Sequence, residues 1–406
     1  MQGVFRVWFI YYDFFENWYT SHMPKDLIYL DYASTHPRKQ EIMEVREQFE
    51  KTSYANIGRG NYDLAEDAMI AYQDSKKAVA RWIGCDPVEV LYTYSATYVI
   101  NLLALACEQN SAIGKWDTIL LSLSEHHANI VPWQMLAKRV GAQVKFVALD
   151  EHYRLDLEDL KNKLDDSVKV VSLQYASNVT GAVHPIEKVR DIIGPKCLFF
   201  VDAAQMVIHW PLSMKNIGCD ALVFSWHKMM ADTGIGVLAL CRDVQKSWQA
   251  PVGGGWAINF VSQEGYEQAG IPERWEPGTP HITGAITLGA AINFLENMDA
   301  TRRKYYHELL TYVDDAFAKM HDKWVIVFHS QHERVLGVWS FTVAWKHPTD
   351  IADMLSEHGV CVRSGHHCCD PFHTDLWISG SVRVSIGYDT TRDDMDRFFT
   401  LLSEIL

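Results

Sequence analysis

A lysine occupies a position where an amine could bond covalently to a carbonyl compound. Lys228 ends the segment 225–228 (SWHK), which follows an apolar run ending at Phe224, and the glycine-rich segment 233–236 comes next. A lysine just beyond a buried strand is held at a fixed point and is desolvated enough for its amine to be nucleophilic. The pattern favours a Schiff-base lysine, although most single lysines after a turn are ordinary surface residues.

Three further polar side chains follow predicted strands. Asp202 and Gln205 come at the end of the run 197–201 (CLFFV), and His126 follows the run 117–123. The carboxylate could pair with a protonated pyridine nitrogen, the amide could reach a phenolic oxygen, and the imidazole could stack on an aromatic ring. Taken alone, Asp202 would more often be a turn or helix cap and His126 an inert polar group.

A cysteine next to cationic side chains is a candidate nucleophile. Cys368 ends the segment RSGHHC, in which Arg363, His366 and His367 come before it. Cationic neighbours lower the pKa of a thiol from about 8.5 and so favour the reactive thiolate. The alternative is a partial metal site, to which His373 could contribute, but the sequence predicts no metal.

The elements that must position these residues follow an alternating pattern. The segments predicted as strands are 117–123, 143–148, 168–175, 197–201, 220–224 and 235–240, and those predicted as helices are 132–141, 155–164 and 185–194. This alternation predicts an α/β unit with a largely parallel sheet. Ligands of such sheets bind beyond the carboxyl ends of the strands, which is where the three groups lie.

A second, smaller α+β domain is predicted to follow. The Gly- and Pro-rich segment 251–285 predicts loops and a hairpin between two bodies. After it come helical periodicity at 286–320, strands at 323–328, 335–344, 359–363 and 381–386, and helices near 349–358 and from 391. The predicted division is a vector-derived or natural extension over 1–22, a large domain over 23–290 and a small domain over 291–406.

Composition excludes several classes of protein. The 406 residues are 48% hydrophobic and carry 37 Lys and Arg against 51 Asp and Glu, a formal charge of −14. Such a chain can build a core, and it lacks an electrostatic footprint for nucleic acid or an anionic membrane. The eight cysteines include no Cys-x-x-Cys pair, so free thiols in a reducing cytoplasm are expected.

Six motifs in this order resemble one enzyme family. They are EHHANIVPWQ (125–134), SNVTG (177–181), VDAAQ (201–205), SWHK (225–228) with TGIG (233–236), EPGTP (276–280) and RSGHHC (363–368). From about Tyr29 to the C-terminus the chain resembles the fold-type-I pyridoxal 5′-phosphate (PLP) enzymes of the class-V aminotransferase type. Within them it is similar to the group II (SufS-type) cysteine desulfurases and the related selenocysteine lyases. The implied fold is α/β, with a mostly parallel seven-stranded sheet and a smaller α+β C-terminal domain.

The resemblance implies roles for the matching residues. Lys228 would bind PLP and move the substrate proton, His126 would stack on the ring, and Cys368 would accept sulfur. The implied cofactor-binding residues are Ala96, Thr97, His126, Asn178, Asp202, Gln205, Ser225, His227 and Lys228, with Thr279 from the other subunit of a homodimer. The implied substrate-binding residues are Arg59, Asn178, Arg363 and Arg383, of which Arg383 would clamp the substrate carboxylate.

The implied activity converts L-cysteine to L-alanine and a Cys368 persulfide. The sulfur would pass to a SufE- or SufU-like acceptor protein for iron–sulfur cluster or related assembly in the cytoplasm. The alternatives are a selenocysteine lyase, another related PLP lyase, and a weakly active scaffold homologue.

The chain departs from the family pattern at three places. Residues 94–99 (YSATYV) replace Arg-Gly-Thr-Thr-Glu-Gly, so Ala96 stands where a phosphate-binding hydroxyl is usual, a loss of about 0.5–1.5 kcal/mol. Gly58 replaces a histidine before Arg59. Cys369 replaces an alanine and could be inert, resolve a persulfide, or pair with Cys368.

Overall fold

The structure is a computed structural model that describes residues 27–58, 60–320, 325–329 and 336–406. Its α-helices are α1 Gln40–Thr52, α2 Asp63–Ile83, α3 Ala96–Gln109, α4 Val131–Val140, α5 Leu157–Lys163, α6 Val189–Ile193, α7 Met214–Ile217, α8 Arg242–Ser247, α9 Ile282–Glu296, α10 Ala300–Ala318, α11 Pro348–Glu357, α12 Asp370–Asp375 and α13 Arg392–Ile405. Within the described ranges, no helix is long and apolar enough to cross a membrane.

The strands form one large sheet, one small sheet and two two-stranded pairs. They are β1 Ile28–Tyr29, β2 Val90–Thr93, β3 Thr118–Ser122, β4 Gln143–Val147, β5 Val168–Gln174, β6 Leu198–Asp202, β7 Ala221–Ser225, β8 Gly236–Leu240, β9 Ile258–Val261, β10 Tyr266–Gln268, β11 Val325–Phe328, β12 Val338–Val343, β13 Val360–Cys361, β14 Arg363–Gly365 and β15 Ser381–Ser385.

The large sheet has seven strands in the order β2-β8-β7-β6-β5-β3-β4. The pairs from β7 to β4 are parallel, and β8 runs antiparallel to both of its neighbours. The prediction of a mostly parallel seven-stranded sheet is therefore confirmed. Since the parallel strands end at one edge, the side chains that follow them meet there.

Helices cover both faces of this sheet, which explains why its strands are apolar throughout. Along β7, Leu222 and Phe224 belong to the apolar cluster that contains α2 and α9 residues. Ala221 and Val223 point into the other cluster, which contains residues of α3 and α4. This alternation fits the two-residue repeat of a strand buried on both sides.

The C-terminal part forms an antiparallel sheet in the order β11-β12-β15-β14. The start of the described chain joins it, because β1 pairs in parallel with β13 and Asp31 bridges to Ser385. The segment beginning at Ile28 thus lies against the C-terminal sheet. The domain division stays a prediction, and the extension over 1–22 lies outside the described residues.

Two predicted elements differ from those observed, whereas the predicted hairpin is present as β9 and β10. The helical segment 286–320 is two helices, because the Asp299 carboxylate accepts the Thr301 N–H at 2.9 Å and caps the start of α10. The single strand expected at 359–363 is divided into β13, which pairs with β1, and β14, which pairs with β15.

Candidate active site

A cavity of about 230 Å³ lies at the carboxyl edge of the large sheet. It is bounded by the ends of β5, β6 and β7, by the start of α3 and by two arginines of the C-terminal sheet. The predicted site residues that line it are Ala96, Thr97, His126, Asn178, Asp202, Gln205, Ser225, His227, Lys228, Arg363 and Arg383. The fold therefore brings together residues that lie up to 287 positions apart in the chain, from Ala96 to Arg383.

Lys228 lies in a 3₁₀ turn, Trp226–Met229, directly after β7. The turn is tied to the N-terminal segment, because the His227 carbonyl accepts the His36 N–H at 2.9 Å and the Thr35 hydroxyl at 3.0 Å. Burial lowers the pKa of Lys228 from 10.5 to about 8, although Asp202 opposes this shift. The turn thus holds an amine that is available in its neutral form near neutral pH.

His126 and Asp202 differ in the charge that the cavity favours. Burial lowers the pKa of His126 to about 3, with Lys228 adding to the effect, so the imidazole is neutral. Its Nδ1 accepts the Ala128 N–H at 3.1 Å, which assigns the remaining ring proton to Nε2. Burial also raises the pKa of Asp202, while the Ala204 N–H at 2.9 Å and Lys228 favour its carboxylate.

Glu125, which was not predicted as a site residue, anchors the loop that carries His126. Its buried carboxylate accepts the Ser122 hydroxyl at 2.5 Å, the Asn129 amide at 2.8 Å and the Gln174 N–H at 2.9 Å. Burial raises its pKa to about 7. The sequence feature that could have indicated this role is the position of Glu125 next to His126 in the EHHAN motif. A glutamate is rarely fully buried unless it has polar partners.

The N-terminus of α3 faces the same cavity. Ser95 caps the helix by accepting the Tyr98 N–H at 3.2 Å, and the Ala96 N–H donates to the Ser225 hydroxyl at 2.8 Å. Ser225 accepts that bond, so its own proton remains available to an anion. A helix N-terminus with such a hydroxyl beside it suits a phosphate group.

The polar groups of the cavity fit PLP. The Asn178 Oδ1 atom is buried and has no hydrogen-bond partner among the described residues, so it is free to accept a hydrogen bond from a molecule bound in the cavity. An acid at Asp202, an amine at Lys228 and the anion-binding start of α3 match a pyridine nitrogen, an aldehyde and a phosphate respectively. The donor set therefore agrees with the cofactor that the motifs imply.

Cys368 lies beside this cavity and contacts one of its walls. The Arg363 Nη2 atom, from a cavity-lining side chain, lies 3.8 Å from the half-buried Cys368 Sγ. His367 and Cys368 have φ angles of 52° and 57°, which are strained for residues other than glycine. Loops that follow strands of the large sheet hold the strained turn, since the His127 N–H donates to the Cys368 carbonyl at 2.7 Å and the Asn178 amide to the His367 carbonyl at 2.8 Å.

The two histidines before Cys368, which the sequence predicted as cationic neighbours, bond to groups other than its sulfur. His366 bonds to Asp370 Oδ1 at 2.9 Å and to the Ser379 carbonyl at 3.1 Å. His367 bonds to Ser381, and burial lowers its pKa well below the usual value, so it is neutral. Arg363 is therefore the cation that the structure places at the sulfur. No cluster of three or more metal-binding side chains occurs in the described residues.

Cys369 points away from Cys368 into an apolar cluster. It is fully buried with Val179, Phe328 and Phe372. Burial raises the pKa of its thiol, and Glu125 adds to the effect. A neutral thiol in these surroundings is a packing group, which favours the inert alternative.

Arg383 is fully buried and is already bonded to protein groups. Its Nη1 donates to the Asn178 carbonyl at 3.0 Å, and its Nη2 lies 2.7 Å from both Asp31 Oδ1 and Ser34 Oγ. The Arg363 Nη1 atom also donates to Ser34 Oγ, at 3.1 Å. Neither Asp31 nor Ser34 was predicted as a site residue, because no local pattern marks them as partners of distant arginines.

Among the described residues, the predicted site residues Cys368 and Thr279 do not line the cavity itself. Thr279 lines a separate pocket with Tyr94, Tyr98 and Trp275, and its role in another subunit's site stays a prediction. Arg59 lies outside the described residues. Its neighbour Gly58 has a φ of 96°, and a Cβ atom there would lie 1.6 Å from the Trp256 ring, so this chain has no room for the family's histidine.

Comparison with known proteins places these features in a family. Residues 28–398 match the aminotransferase class-V family. A probable cysteine desulfurase of Synechocystis is 36% identical over 381 residues, which cover 93% of this chain and 90% of the relative. A cysteine desulfurase of Haloferax volcanii is 32% identical over 375 residues, which cover 91% of this chain and 87% of the relative.

Solved structures show the same similarity. The apo cysteine desulfurase of Thermococcus onnurineus has a TM-score of 0.88 at 33% identity, covering 93% of this chain and 94% of that one. A cysteine desulfurase of Escherichia coli in an S-sulfonic acid form has a TM-score of 0.85 at 28% identity, covering 94% of this chain and 96% of that one.

Proposed function

Since the chain belongs to the aminotransferase class-V family, we propose that it is a PLP-dependent cysteine desulfurase of the group II form. The reaction converts L-cysteine to L-alanine and leaves the sulfur on Cys368 as a persulfide. The observation that carries the proposal is the contact between Cys368 and Arg363, since that arginine also lines the cavity containing Lys228. Aminotransferases need the lysine but have no use for a thiol at this position.

Nine of the residues that line the cavity supply the groups that would hold the cofactor and orient it. Asp202 suits the pyridine nitrogen, Gln205 the phenolic oxygen and His126 the ring face. The phosphate would be held by Ala96, Thr97, Ser225 and His227 at the start of α3 and the end of β7. When bound, PLP supplies an electron sink that allows electrons to be withdrawn from the substrate carbons.

Lys228 holds and moves the substrate proton. With a pKa of about 8, its amine exchanges between the neutral and charged forms near neutral pH, which suits a group that must both accept and donate a proton at the substrate Cα. Burial and the neighbouring arginines favour the neutral form, whereas Asp202 favours the charged one. The balance between these charges sets the working range of the base.

Cys368 takes the sulfur as a thiolate. Its Sγ bonds to the substrate sulfur as the Cβ–S bond breaks, the electron pair of the broken bond goes to Cβ, and a proton added there completes alanine. The Arg363 guanidinium stabilises the negative charge, which is on Sγ before the transfer and on the outer sulfur afterwards. The strained turn fixes the direction from which Sγ approaches.

The persulfide must then leave the enzyme. Cys368 is half-buried at the rim of the site, so a SufE- or SufU-like acceptor can approach it from solvent. All eight cysteines are free, in agreement with a reducing cytoplasm. We further propose a homodimer in which Thr279 of one subunit completes the phosphate site of the other.

The test compares two adjacent cysteines. Cys368→Ser should abolish alanine formation from L-cysteine while the protein keeps bound, coloured cofactor. Cys369→Ala is the matched control and should retain most of the activity, because that thiol packs away from the cavity. Full activity of the Cys368→Ser protein would contradict the proposal.

A further inference from the structure

The Asp370 carboxylate lies between two histidines that belong to different parts of the site. Its Oδ2 atom is 2.7 Å from His127 Nε2, and its Oδ1 atom is 2.9 Å from His366 Nδ1. His127 directly follows the predicted ring-stacking residue His126, and His366 comes two positions before Cys368. One side chain at the start of α12 therefore connects the ring-stacking loop to the cysteine turn.

The bond between Asp370 and His366 joins two charged groups. The other ring nitrogen of His366, Nε2, lies 3.1 Å from the Ser379 carbonyl oxygen. Because carboxylate and carbonyl oxygens only accept, His366 can bond to both only as the imidazolium, with a proton on each nitrogen. Although partial burial acts in the other direction, the hydrogen bond from His366 and the neighbouring His127 lower the pKa of Asp370, so the carboxylate is ionised. Hydrogen bonds between two such ions are the stronger kind.

His127 and Asp370 together hold the turn on the C-terminal side of Cys368. The His127 N–H donates to the Cys368 carbonyl at 2.7 Å, and the His127 ring bonds to Asp370 two positions later. Before Cys368, the Asn178 amide donates to the His367 carbonyl at 2.8 Å. His367 and Cys368 have φ angles of 52° and 57°, and a backbone in this region persists only where its surroundings hold it. The position of Sγ therefore depends on anchors on both sides of the cysteine.

We propose that Asp370 is a positioning residue for the sulfur-transfer step. Through its two histidine partners it holds the Cys368 turn against the loop of His126, so that Sγ faces the substrate sulfur. The inference rests on the proposed function in taking Cys368 as the sulfur acceptor. It adds that the transfer depends on a carboxylate outside the cavity, since neither Asp370 nor its histidine partners line it. Binding of the cofactor and of the amino acid should therefore not need this carboxylate.

The first measurement is alanine formation from L-cysteine by the PLP-loaded enzyme. Asp370→Ala should lower kcat about tenfold or more, because a displacement of about 1 Å at a reacting atom can cost about a hundredfold in rate. KM should stay within about twofold and the cofactor absorbance should not change. Asp370→Asn, whose single oxygen can accept from one histidine at a time, should give an intermediate kcat. Asp375→Ala, an exposed position at the other end of α12, is the matched control and should retain the wild-type kcat.

A double variant tests whether Asp370 acts through His366. His366→Ala alone should lower kcat several-fold, but adding it to Asp370→Ala should change kcat by less than about twofold, because the bond is already broken. If Asp370 only stabilised the start of α12, the two losses would multiply. Multiplied losses would therefore overturn the inference.

The second measurement needs no turnover. Hydrogen exchange of the backbone amides in the segment 364–369 should be faster in Asp370→Ala than in the wild-type protein or in Asp375→Ala, because the turn loses an anchor. Unchanged exchange, a kcat within twofold of wild type, or loss of the cofactor absorbance in Asp370→Ala would each overturn the inference. Absence of alanine production by the wild-type enzyme would instead contradict the proposed function, and the exchange measurement would still test the anchor.

Discussion

Replacing Asp202 by asparagine should change the pH range in which Lys228 takes up an aldehyde. Burial lowers the pKa of Lys228 from 10.5 to about 8, and the Asp202 carboxylate is the main charge that opposes this. A decrease of that size corresponds to roughly 3 kcal/mol in favour of the neutral amine, or roughly 300-fold more neutral amine at pH 7 than in an ordinary lysine.

Removing the Asp202 charge takes away a partner of the ammonium form. The pKa of Lys228 should therefore fall further, by about one unit, which brings its midpoint near 7. The neutral fraction at pH 7 then rises from about one tenth to about one half. The substitution should have the opposite effect on the cofactor. Asp202→Asn removes the partner of the pyridine nitrogen, so it should weaken PLP binding and lower the maximum rate of PLP uptake.

The assay follows absorbance as cofactor-free protein is mixed with PLP at a series of pH values. The midpoint of the pH–rate profile gives the pKa of Lys228, whereas the plateau rate depends on the other cofactor contacts. The change in pKa can therefore be distinguished from the change in cofactor binding. Wild-type protein should give a midpoint near 8 and Asp202→Asn one near 7, with Lys228→Ala as the control that shows no covalent uptake. A wild-type midpoint near 10.5, or one that Asp202→Asn leaves unchanged, would refute the reasoning.

Three further predictions concern packing and cofactor retention. Glu276→Gln should lower the free energy of unfolding by about 3–5 kcal/mol, because it leaves the buried Lys76 ammonium unpaired. The denaturant midpoint should fall strongly and should be partly restored by adding Lys76→Met. An unchanged midpoint would contradict this prediction. Ala96→Ser should tighten PLP binding to the Lys228→Ala protein about two- to tenfold by restoring a hydroxyl at the start of α3; equal Kd values would argue against a phosphate there. Cys369→Ser should lower the thermal midpoint more than Cys369→Ala, because it buries an unpaired hydroxyl among Val179, Phe328 and Phe372; the opposite order would be inconsistent with the buried position.

The sequence was sufficient for the features that depend on local pattern. The apolar runs predicted six of the seven strands of the large sheet, because strands buried on both faces are apolar throughout, and only β2 was not predicted. The positions of Asp202 and Lys228 just beyond such runs placed them at one edge, and the cavity brings both to that edge. The chemistry was predicted from the order of the motifs, because the spacing of the residues alone did not indicate it.

The features that the sequence did not reveal depend on contacts between distant segments. His367 was expected to be charged beside Cys368, but its burial and its bond to Ser381 could not be read from the local composition. The contact of Ser34 with the two arginines spans more than three hundred residues in the chain. A serine in a loop carries no local pattern that would indicate such partners.

The most direct test of the account locates the sulfur after one turnover. Wild-type enzyme mixed with a limiting amount of L-cysteine, without acceptor protein, should form alanine and gain the mass of one sulfur atom on the peptide that contains Cys368. Fragmentation should place that sulfur on Cys368 and not on the adjacent buried Cys369. Alanine formed with no sulfur on that peptide, or with the sulfur on another cysteine, would contradict the central claim that Cys368 is the acceptor facing the Lys228 cavity.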